Sequence, residues 1–400
     1  MNAKGTVIRS IASRLAGGAL VAALAAAPAA LAQGNEVRLG LITTLSTPAG
    51  YIGEDVRDAF LLAMKKDGGK LGGVPIKLEV EDDALKPAGA KQSADRMVQG
   101  GVKLFSGIIF SNVLAAVLPG VLEGNAFYVS SNAGPSTFSG ERCNPNYFVA
   151  SYQNDSFHEA AGLAANELGY KKMVLLAPNY QAGRDALEGF TRTYKGEVVG
   201  EIYTKLDQTD FSVELARLRS LQPDAIYQFH PGGAGINFAK QYANAGLSKF
   251  IPMLLPSFSM DARMVAATGD GADGIYASAL WTPETDNPAS KAFVADFKAA
   301  YNRLPTIYAQ QAFDTANLIG AGLKAVGGDL SKADEFRAAM RKADFTAIRG
   351  AFKMGPNQHP IQDYYLTKFE KDAKGEIVQT VVRKVATNYA DAYASKCTMK

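Results

Sequence analysis

Residues 103–134 read KLFSGIIFSNVLAAVLPGVLEGNAFYVSSNAG, and this stretch decides the fold class. An apolar run of strand type (103–110) leads into a helical segment that continues to about Gly124, and a second apolar run, AFYVS, follows. A strand, a helix and a strand in this order predict a βαβ unit with parallel strands. The second strand stops at the small and polar residues 130–134, at the sheet edge where ligands of such folds bind.

The same alternation extends in both directions along the chain. The other predicted strands are 37–45, 76–82, 172–177, 197–204, 224–229 and 250–255, and 363–372 with 376–384 forms a closing hairpin. The other predicted helices are 54–66, 87 to about 100, 156–168, 186–195, 211–221 and 236–246, and three more near 289–302, 308–327 and 331–343. Two successive βαβα runs predict an α/β fold with two open parallel sheets, helices on both faces and right-handed crossovers.

The first residues predict a targeting segment. Lys4, Arg9 and Arg14 precede an apolar run rich in alanine, and Ala30-Leu31-Ala32 fits the small-x-small rule for cleavage. We therefore expect residues 1–32 to be a secretory signal peptide. The alternative is a membrane anchor, but the run is about 16 residues long and is interrupted by Gly and Pro, whereas a spanning helix needs roughly 20. No Cys stands at the cleavage point, so we do not expect a lipid anchor.

Charge and cysteine content limit the classes of partner and fold. Without the leader, 39 Lys+Arg face 39 Asp+Glu, so nucleic acid and acidic membrane surfaces are not expected partners. About 368 mature residues suggest two domains, each with its own core. The two cysteines, Cys143 and Cys397, predict one disulfide in an oxidising compartment, and two free thiols are the alternative.

Seven predicted strand ends carry the same mixture of hydroxyls, amides and aromatic rings. They are Ser46–Pro48, Phe110–Asn112, Ser130–Ala133, Ala177–Tyr180, Phe229–Gly232, Pro256–Ser259 and Trp281-Thr282. Hydroxyls, amides and helix N-terminal N–H groups suit an anionic ligand group, and rings suit an apolar ligand body. Each such residue singly could be a helix cap. Together they indicate a ligand cleft between the two domains.

The sequence lacks the common signatures of catalysis and of cofactor binding. The three histidines, His158, His230 and His359, have no metal-ligand spacing. There is no G-x-S-x-G motif and no P-loop. The formal G-x-G-x-x-G at 269–274 precedes a strand, and its two aspartates would repel phosphate, while GGAG at 232–235 fits a tight helix entry. We therefore expect no metal, no cofactor and no enzymatic activity.

Several motifs follow one another in an order that carries a family resemblance. They are LSTPAGYIG (45–53), SGIIFSN (106–112), YVSSNAGPS (128–136), Gln153 with Asp155, KQYANAGL (240–247) and P-x-x-YAQQAFD (305–314). The chain resembles the periplasmic solute-binding proteins of ABC transporters, in the branch typified by the leucine/isoleucine/valine-binding protein. The resemblance implies a type I fold of two Rossmann-like lobes joined by three crossovers. The implied N-terminal lobe is 35–154 plus 279–352, and the implied C-terminal lobe is 155–278 plus 353–400.

The resemblance also implies a function and a binding site. It implies a periplasmic monomer that closes on a small carboxylate ligand and delivers it to a membrane permease driven by a cytoplasmic ATPase, without catalysis. Ser111 and residues 131–133 match the positions that hold the ligand carboxylate, and Ile52 falls where amino-acid binders often carry a tyrosine. The predicted ligand-binding set is Ile52, Phe110, Ser111, Asn112, Ser131, Asn132, Ala133, Tyr180, Phe229, His230, Phe258 and Tyr308.

One departure from the family pattern bears on the ligand. Amino-acid binders place a carboxylate in the second lobe, whereas the matching region LLPSFSM has no acid before Asp261. A buried ammonium without a counter-charge is costly. SNAGPS, GERC and the C-terminal Cys-x-Met resemble the subgroup linked to aromatic acids. We therefore expect an aromatic carboxylate such as a benzoate or phenylpropanoid derivative. A branched-chain or other neutral amino acid, or a short polar solute, is the alternative ligand, and a receptor-linked sensor or a secreted enzyme is the alternative class.

Overall fold

The structure, a computed structural model, describes residues 36–399. The strands are β1 (Val37–Thr43), β2 (Lys70–Leu71), β3 (Val74–Asp82), β4 (Leu104–Ser106), β5 (Phe127–Ser130), β6 (Tyr147–Val149), β7 (Lys172–Pro178), β8 (Glu197–Thr204), β9 (Ala225–Gln228), β10 (Met253–Pro256), β11 (Tyr276–Ala279), β12 (Phe352–Met354), β13 (Pro360–Lys371) and β14 (Ile377–Tyr389). The helices are α1 (Gly50–Lys66), α2 (Pro87–Gln99), α3 (Ser111–Glu123), α4 (Asn154–Glu167), α5 (Gln181–Thr193), α6 (Ser212–Leu221), α7 (Gly232–Asn244), α8 (Ala262–Thr268), α9 (Pro288–Tyr301), α10 (Ile307–Val326) and α11 (Ala333–Lys342).

The first sheet has the strand order β2-β3-β1-β4-β5-β6. All of its pairings are parallel except the short β2–β3 pair. The central strand β1 pairs Leu39 with Leu78 on one side and with Leu104 on the other, and Leu39 is fully buried. Burial on both faces explains why this strand carries apolar residues in succession, as parallel strands under two layers of helices do.

The second sheet has the order β12-β13-β11-β10-β9-β7-β8, and β14 pairs with β13. Strands β7 to β11 are parallel, and the C-terminal strands β12, β13 and β14 add antiparallel pairings. The two sheets with helices on their faces confirm the predicted α/β class. We call the body around the first sheet the first lobe and the body around the second sheet the second lobe.

The chain passes between the two sheets three times. It crosses at residues 150–153 after β6, at 280–287 after β11 and at 343–351 before β12. After the second crossing, α10 packs against α1, β2, β3 and β5 of the first lobe, whereas α4, after the first crossing, packs against β10, β11, β13 and β14 of the second. The lobe boundaries that the resemblance implies remain a prediction.

Most predicted elements lie within three residues of the observed ones. The helices predicted at 54–66, 186–195 and 236–246 begin four or five residues earlier than predicted, and the strand predicted at 376–384 continues to Tyr389. The strand predicted at 103–110 ends at Ser106, because Gly107 adopts a left-handed backbone (φ 103°) that breaks the extended run. The strand predicted at 250–255 begins only at Met253. The strands β2, β6 and β12 had no prediction, because runs of two or three residues are too short to show an alternation. The short helix α8 was not predicted either, and β11 was indicated only by its predicted end at Trp281-Thr282.

Two predictions concern the chain ends. The signal peptide predicted at 1–32 lies outside the described residues. Within residues 36–399, no helix combines the length and the apolarity that a membrane crossing requires. Cys143 and Cys397 face each other with Cα atoms 5.7 Å apart, a separation that disulfides span.

Candidate ligand-binding site

A small buried cavity lies between the two lobes at the carboxyl ends of their strands. Its lining residues are Ile109, Phe110, Ser111, Asn132, Ala133, Tyr152, Asn154, Tyr180, Ala182, Phe229, Pro231, Phe258 and Tyr308. Every one of them is buried. Except for Tyr308 at the start of α10, they follow β4, β5, β6, β7, β9 and β10, so they occupy the sheet edge where open α/β folds bind ligands.

Larger depressions exist elsewhere on the described surface. One of them lies among α1, α9 and α10 and is open to solvent, with Lys66, Asp67 and Lys324 among its lining residues. It lies on the helical faces, away from the carboxyl ends of the strands. We therefore assign the cavity between the lobes as the candidate site, because its lining residues are buried, largely apolar and contributed by both lobes.

One polar edge of the cavity comes from the start of α3. Ser111 is the first residue of this helix and is 2% exposed. The first N–H groups of a helix have no intrahelical partner, and the helix dipole places positive potential there. The turn at Gly107 brings this helix start to the end of β4. This arrangement suits an anionic group of a ligand.

The second polar edge is the loop after β5. Asn132 donates from Nδ2 to the carbonyl of Ile109 (2.8 Å), and the Ser151 hydroxyl donates to the carbonyl of Asn132 (2.8 Å). These bonds hold the loop beside the start of α3. Gly134 approaches the first crossing so closely that a Cβ atom there would lie 2.1 Å from the carbonyl oxygen of Tyr152. A glycine is therefore required for the loop to keep this path.

Aromatic rings from both lobes form the remaining walls. Tyr180 stacks on Phe229, with centroids 6.2 Å apart, and Tyr152 stacks on Phe258 at 5.3 Å. Phe110 of the first lobe lies 6.3 Å from Tyr180 of the second. Such rings provide flat apolar surfaces and favour contact with another ring.

No charged side chain lines the cavity among the residues described. The nearby acids have other partners. Asp261 accepts from the Tyr51 hydroxyl (2.8 Å) and caps α8, and burial raises its pKa to about 6. Asp185 accepts from the Ser136 hydroxyl (2.7 Å) and from Asn154 Nδ2 (2.9 Å), and burial raises its pKa. The wall therefore offers a ligand ammonium no carboxylate.

Hydrogen bonds join the lobes around the cavity, so the structure is a closed state. Besides the bonds to Asp261 and Asp185, the Tyr308 hydroxyl of α10 donates to the carbonyl of Phe258 (3.1 Å). Closure removes water from the cavity, which strengthens every polar contact made inside it.

The structure brings eight of the twelve predicted site residues to this cavity. They are Phe110, Ser111, Asn132, Ala133, Tyr180, Phe229, Phe258 and Tyr308. Ile52, Asn112, Ser131 and His230 are not among the lining residues.

His230 illustrates why a strand-end position alone is not sufficient. Its ring lies against Phe238, and its nitrogens contact Thr204 Oγ1 (3.0 Å) and Gln228 Oε1 (2.9 Å). Burial lowers the pKa of the imidazole to about 3, so the ring is neutral. His230 belongs to the core beneath the second sheet rather than to the cavity wall.

Five lining residues lie outside the predicted set of twelve, namely Ile109, Tyr152, Asn154, Ala182 and Pro231, although Pro231 belongs to the predicted strand end Phe229–Gly232. Three of these adjoin predicted positions or lie two residues away. Tyr152 and Asn154 lie in the segment SYQND, where the first βα run ends. A segment that connects two lobes necessarily borders the cleft between them. The position of SYQND at the end of the first βα run was therefore the available signal in the sequence.

The family of periplasmic binding proteins matches residues 36–375. The chain belongs to this family. Curated relatives of this periplasmic binding protein include a Leu/Ile/Val-binding protein homolog from Brucella melitensis, which is 26% identical over 362 residues and covers 87% of this chain and 91% of the relative.

Two solved structures resemble this periplasmic binding protein closely. One is a solute-binding protein of an ABC transporter from R. palustris in complex with benzoate, with 33% identity and a TM-score of 0.86 over 91% of this chain and 100% of that chain. The other, from Rhodopseudomonas palustris BisB5 in complex with 3,4-dihydroxybenzoic acid, has 27% identity and a TM-score of 0.82 over 89% and 99%. The protein is thus a solute-binding component of an ABC transporter, a class that binds small ligands and works with a permease and an ATPase.

Proposed function

We propose that this periplasmic binding protein captures an aromatic carboxylate, such as a benzoate or phenylpropanoid derivative, and delivers it to its permease. The observation that carries the proposal is a buried cavity with neutral hydrogen-bond donors on one side, aromatic walls on the others and no charged side chain among its lining residues. The proposal includes cleavage of the leader at 1–32, a periplasmic monomer and a Cys143–Cys397 disulfide.

The carboxylate would dock on the first lobe. Ser111 supplies a hydroxyl at the start of α3, and the loop at Asn132 and Ala133 lies beside it. Neutral donors with a helix dipole stabilise a carboxylate without a cationic partner.

The ring would occupy the space between the aromatic walls. Tyr180, Phe229 and Phe258 approach from the second lobe and Phe110 from the first, so lobe closure would bury both faces of a planar ligand. The relatives solved with benzoate and with 3,4-dihydroxybenzoic acid support this ligand class.

A branched-chain amino acid is the second candidate, because the curated relatives are named for leucine, isoleucine and valine. Its carboxylate could use the same donors. Its ammonium would be desolvated without a counter-charge, since Asp185 and Asp261 are engaged elsewhere, and this cost disfavours it.

The proposed mechanism is ligand-stabilised closure. The first lobe, 35–154 plus 279–352, would receive the ligand, and the second lobe, 155–278 plus 353–400, would close over it. A ligand shifts the equilibrium from the open to the closed form only to the extent that it binds the closed form more tightly than the open form. The permease would then recognise that form.

Calorimetric titration of refolded, ligand-stripped mature protein tests the proposal, with benzoate, cinnamate, leucine and phenylalanine as ligands. We expect the aromatic acids to bind, and at 100 times the Kd to stabilise by about 2.7 kcal/mol. Ser111→Ala should make the binding free energy of benzoate less favourable by roughly 1–3 kcal/mol, the cost of removing a hydrogen-bond partner from a buried charge. Ser212→Ala, at an exposed hydroxyl on α6 far from the cavity, is the matched control. Binding of leucine alone would overturn the proposal.

A further inference from the structure

We propose that Asn154 is a positioning residue that directs the Ser111 hydroxyl proton toward an anionic ligand and links that proton to lobe closure. The inference rests on the proposed function, because it concerns the carboxylate end of the same cavity. Asn154 is the first residue of α4, directly after the first crossing between the lobes, and it is 2% exposed.

The partners of Asn154 fix the orientation of its amide. Its Oδ1 accepts from the backbone N–H of Gly134 (3.0 Å). Its Nδ2 donates to Ser111 Oγ (3.1 Å) and to Asp185 Oδ2 (2.9 Å). The reverse orientation would set the amide oxygen against a carboxylate and the NH₂ group against an N–H donor. The hydrogen-bond pattern therefore allows only one arrangement.

This orientation determines what Ser111 can do. Its oxygen accepts from Asn154, and no acceptor for its own proton lies within hydrogen-bond distance among the residues described. A hydroxyl has one donor and acceptor lone pairs, so the proton of Ser111 remains available to an oxygen in the cavity. A ligand carboxylate can accept this proton in a hydrogen bond, whereas a ligand N–H group at the same place would be repelled by it.

The same amide connects this hydroxyl to the second lobe. Asp185 lies on α5, is 2% exposed, and also accepts from the hydroxyl of Ser136 (2.7 Å) in the first lobe. When the lobes separate, Asp185 moves away from Ser136 and from the first-lobe partners of Asn154. Nδ2 is then no longer held between Ser111 and Asp185. The donor orientation of Ser111 is therefore complete only in the closed form.

Titrations of benzoate and of its uncharged analogue benzamide test this role in four proteins: wild type, Asn154→Ala, Ser111→Ala and the double variant. We expect Asn154→Ala to weaken benzoate on the order of tenfold, since a hydrogen bond to a buried charge is lost or misdirected. Benzamide should be affected less. In the double variant the loss should be close to that of Ser111→Ala alone, because Asn154 acts through that hydroxyl.

Asn154→Asp supplies a second measurement. The new carboxylate would accept the Ser111 proton and repel a ligand carboxylate, so the ratio of benzoate to benzamide affinity should fall below that of Asn154→Ala. Circular dichroism reports whether Asn154→Ala is folded. If it is not, Asn154→Ser replaces it in the same comparison of benzoate and benzamide affinities.

The possible outcomes separate this inference from the proposed function. If the wild-type protein binds benzoate and Asn154→Ala has the same benzoate affinity and the same ratio of benzoate to benzamide affinity, the role of Asn154 is overturned. The proposed function would then still stand. Additive losses in the double variant overturn the role of Asn154 too, since they show that Asn154 does not act through Ser111. Wild-type protein that binds no aromatic acid overturns both.

Discussion

The phenol of Tyr51 donates a 2.8 Å hydrogen bond to Asp261, a residue 210 positions later in the chain. Tyr51 lies on α1 of the first lobe, and Asp261 is the N-cap of α8 in the second. Arg263 strengthens the contact, because its guanidinium lies over the Tyr51 ring at 5.3 Å and pairs with Glu54 at 3.2 Å. This group of four residues fastens the lobes to each other without contacting the cavity.

Removal of the Tyr51 hydroxyl should shift the protein toward its open form. Tyr51→Phe keeps the ring and deletes one hydrogen bond to a buried carboxylate, so we expect ligand affinity to fall by about 1–2 kcal/mol. Calorimetry measures the affinity, and X-ray scattering of the ligand-free protein should report a larger radius of gyration. Tyr203→Phe, at an exposed second-lobe tyrosine, is the control. Wild-type affinity and scattering in Tyr51→Phe would show that this bond does not govern closure.

The aromatic wall should matter more for the ligand than the nearby histidine. Phe258→Ala removes a ring that stacks on Tyr152 at 5.3 Å, and we expect benzoate binding to weaken on the order of tenfold or more. His230→Gln should lower the melting temperature, because it disrupts the bonds to Thr204 and Gln228, but should leave affinity within about twofold. A large affinity loss in His230→Gln would place that residue in the site after all.

Asp155 should make stability depend on pH. This carboxylate is fully buried and accepts from Arg192 (3.0 Å) and from the Tyr393 hydroxyl (2.7 Å). Burial, reinforced by the nearby Asp185, raises its pKa from 3.8 to about 7. Since the folded-state value lies above the unfolded one, this stabilisation is complete below about pH 4 and is lost as the pH rises toward 7.

The Asp155→Asn variant isolates this effect. Asparagine mimics the protonated form at every pH, so the melting temperature of the variant relative to wild type should increase from pH 4 to pH 7. The comparison is needed because His158 and His230, whose pKa values burial lowers to about 3, act in the opposite direction in acid. A difference that does not change with pH would mean that Arg192 keeps Asp155 ionised throughout.

The two cysteines should form a disulfide that secures the C-terminal tail. They are 254 positions apart, and the tail also contacts the protein through Asp391, which accepts from Asn357 Nδ2 at 2.6 Å. The intact mass of unreduced mature protein should lack two hydrogens. Replacing both cysteines by serine should lower the free energy of unfolding by about 2–4 kcal/mol. Two thiols that react with a thiol reagent in native protein would contradict the pairing.

The sequence predicts the βα alternation well because periodicity is a local property. The helix near 308–327, for example, is observed as Ile307–Val326. Strand ends also locate most of the cavity, since parallel strands present their carboxyl ends together. Periodicity does not reveal which strand-end residues turn inward, however. His230 and Phe229 are adjacent, yet Phe229 lines the cavity and His230 lies in the core.

Contacts between distant parts of the chain are the features that the sequence could not supply. Asn154 is one polar residue shortly before the helix predicted at 156–168, and its type alone assigns it no contact. Its bonds to Ser111, Gly134 and Asp185 depend on how the lobes meet. Likewise, Tyr51 and Asp261 carry no motif that pairs them. Such contacts depend on the tertiary structure, so no local sequence pattern predicts them.

The enclosure of the cavity has a kinetic consequence. All lining side chains are buried and come from both lobes, so the closed form screens a bound molecule from solvent. We expect such a molecule to leave after the lobes separate, with a residence time that follows the lifetime of the closed state. Substitutions at the fastening residues, far from the ligand, would then change the dissociation rate directly. A membrane partner that pulls the lobes apart would decide when the cargo is released.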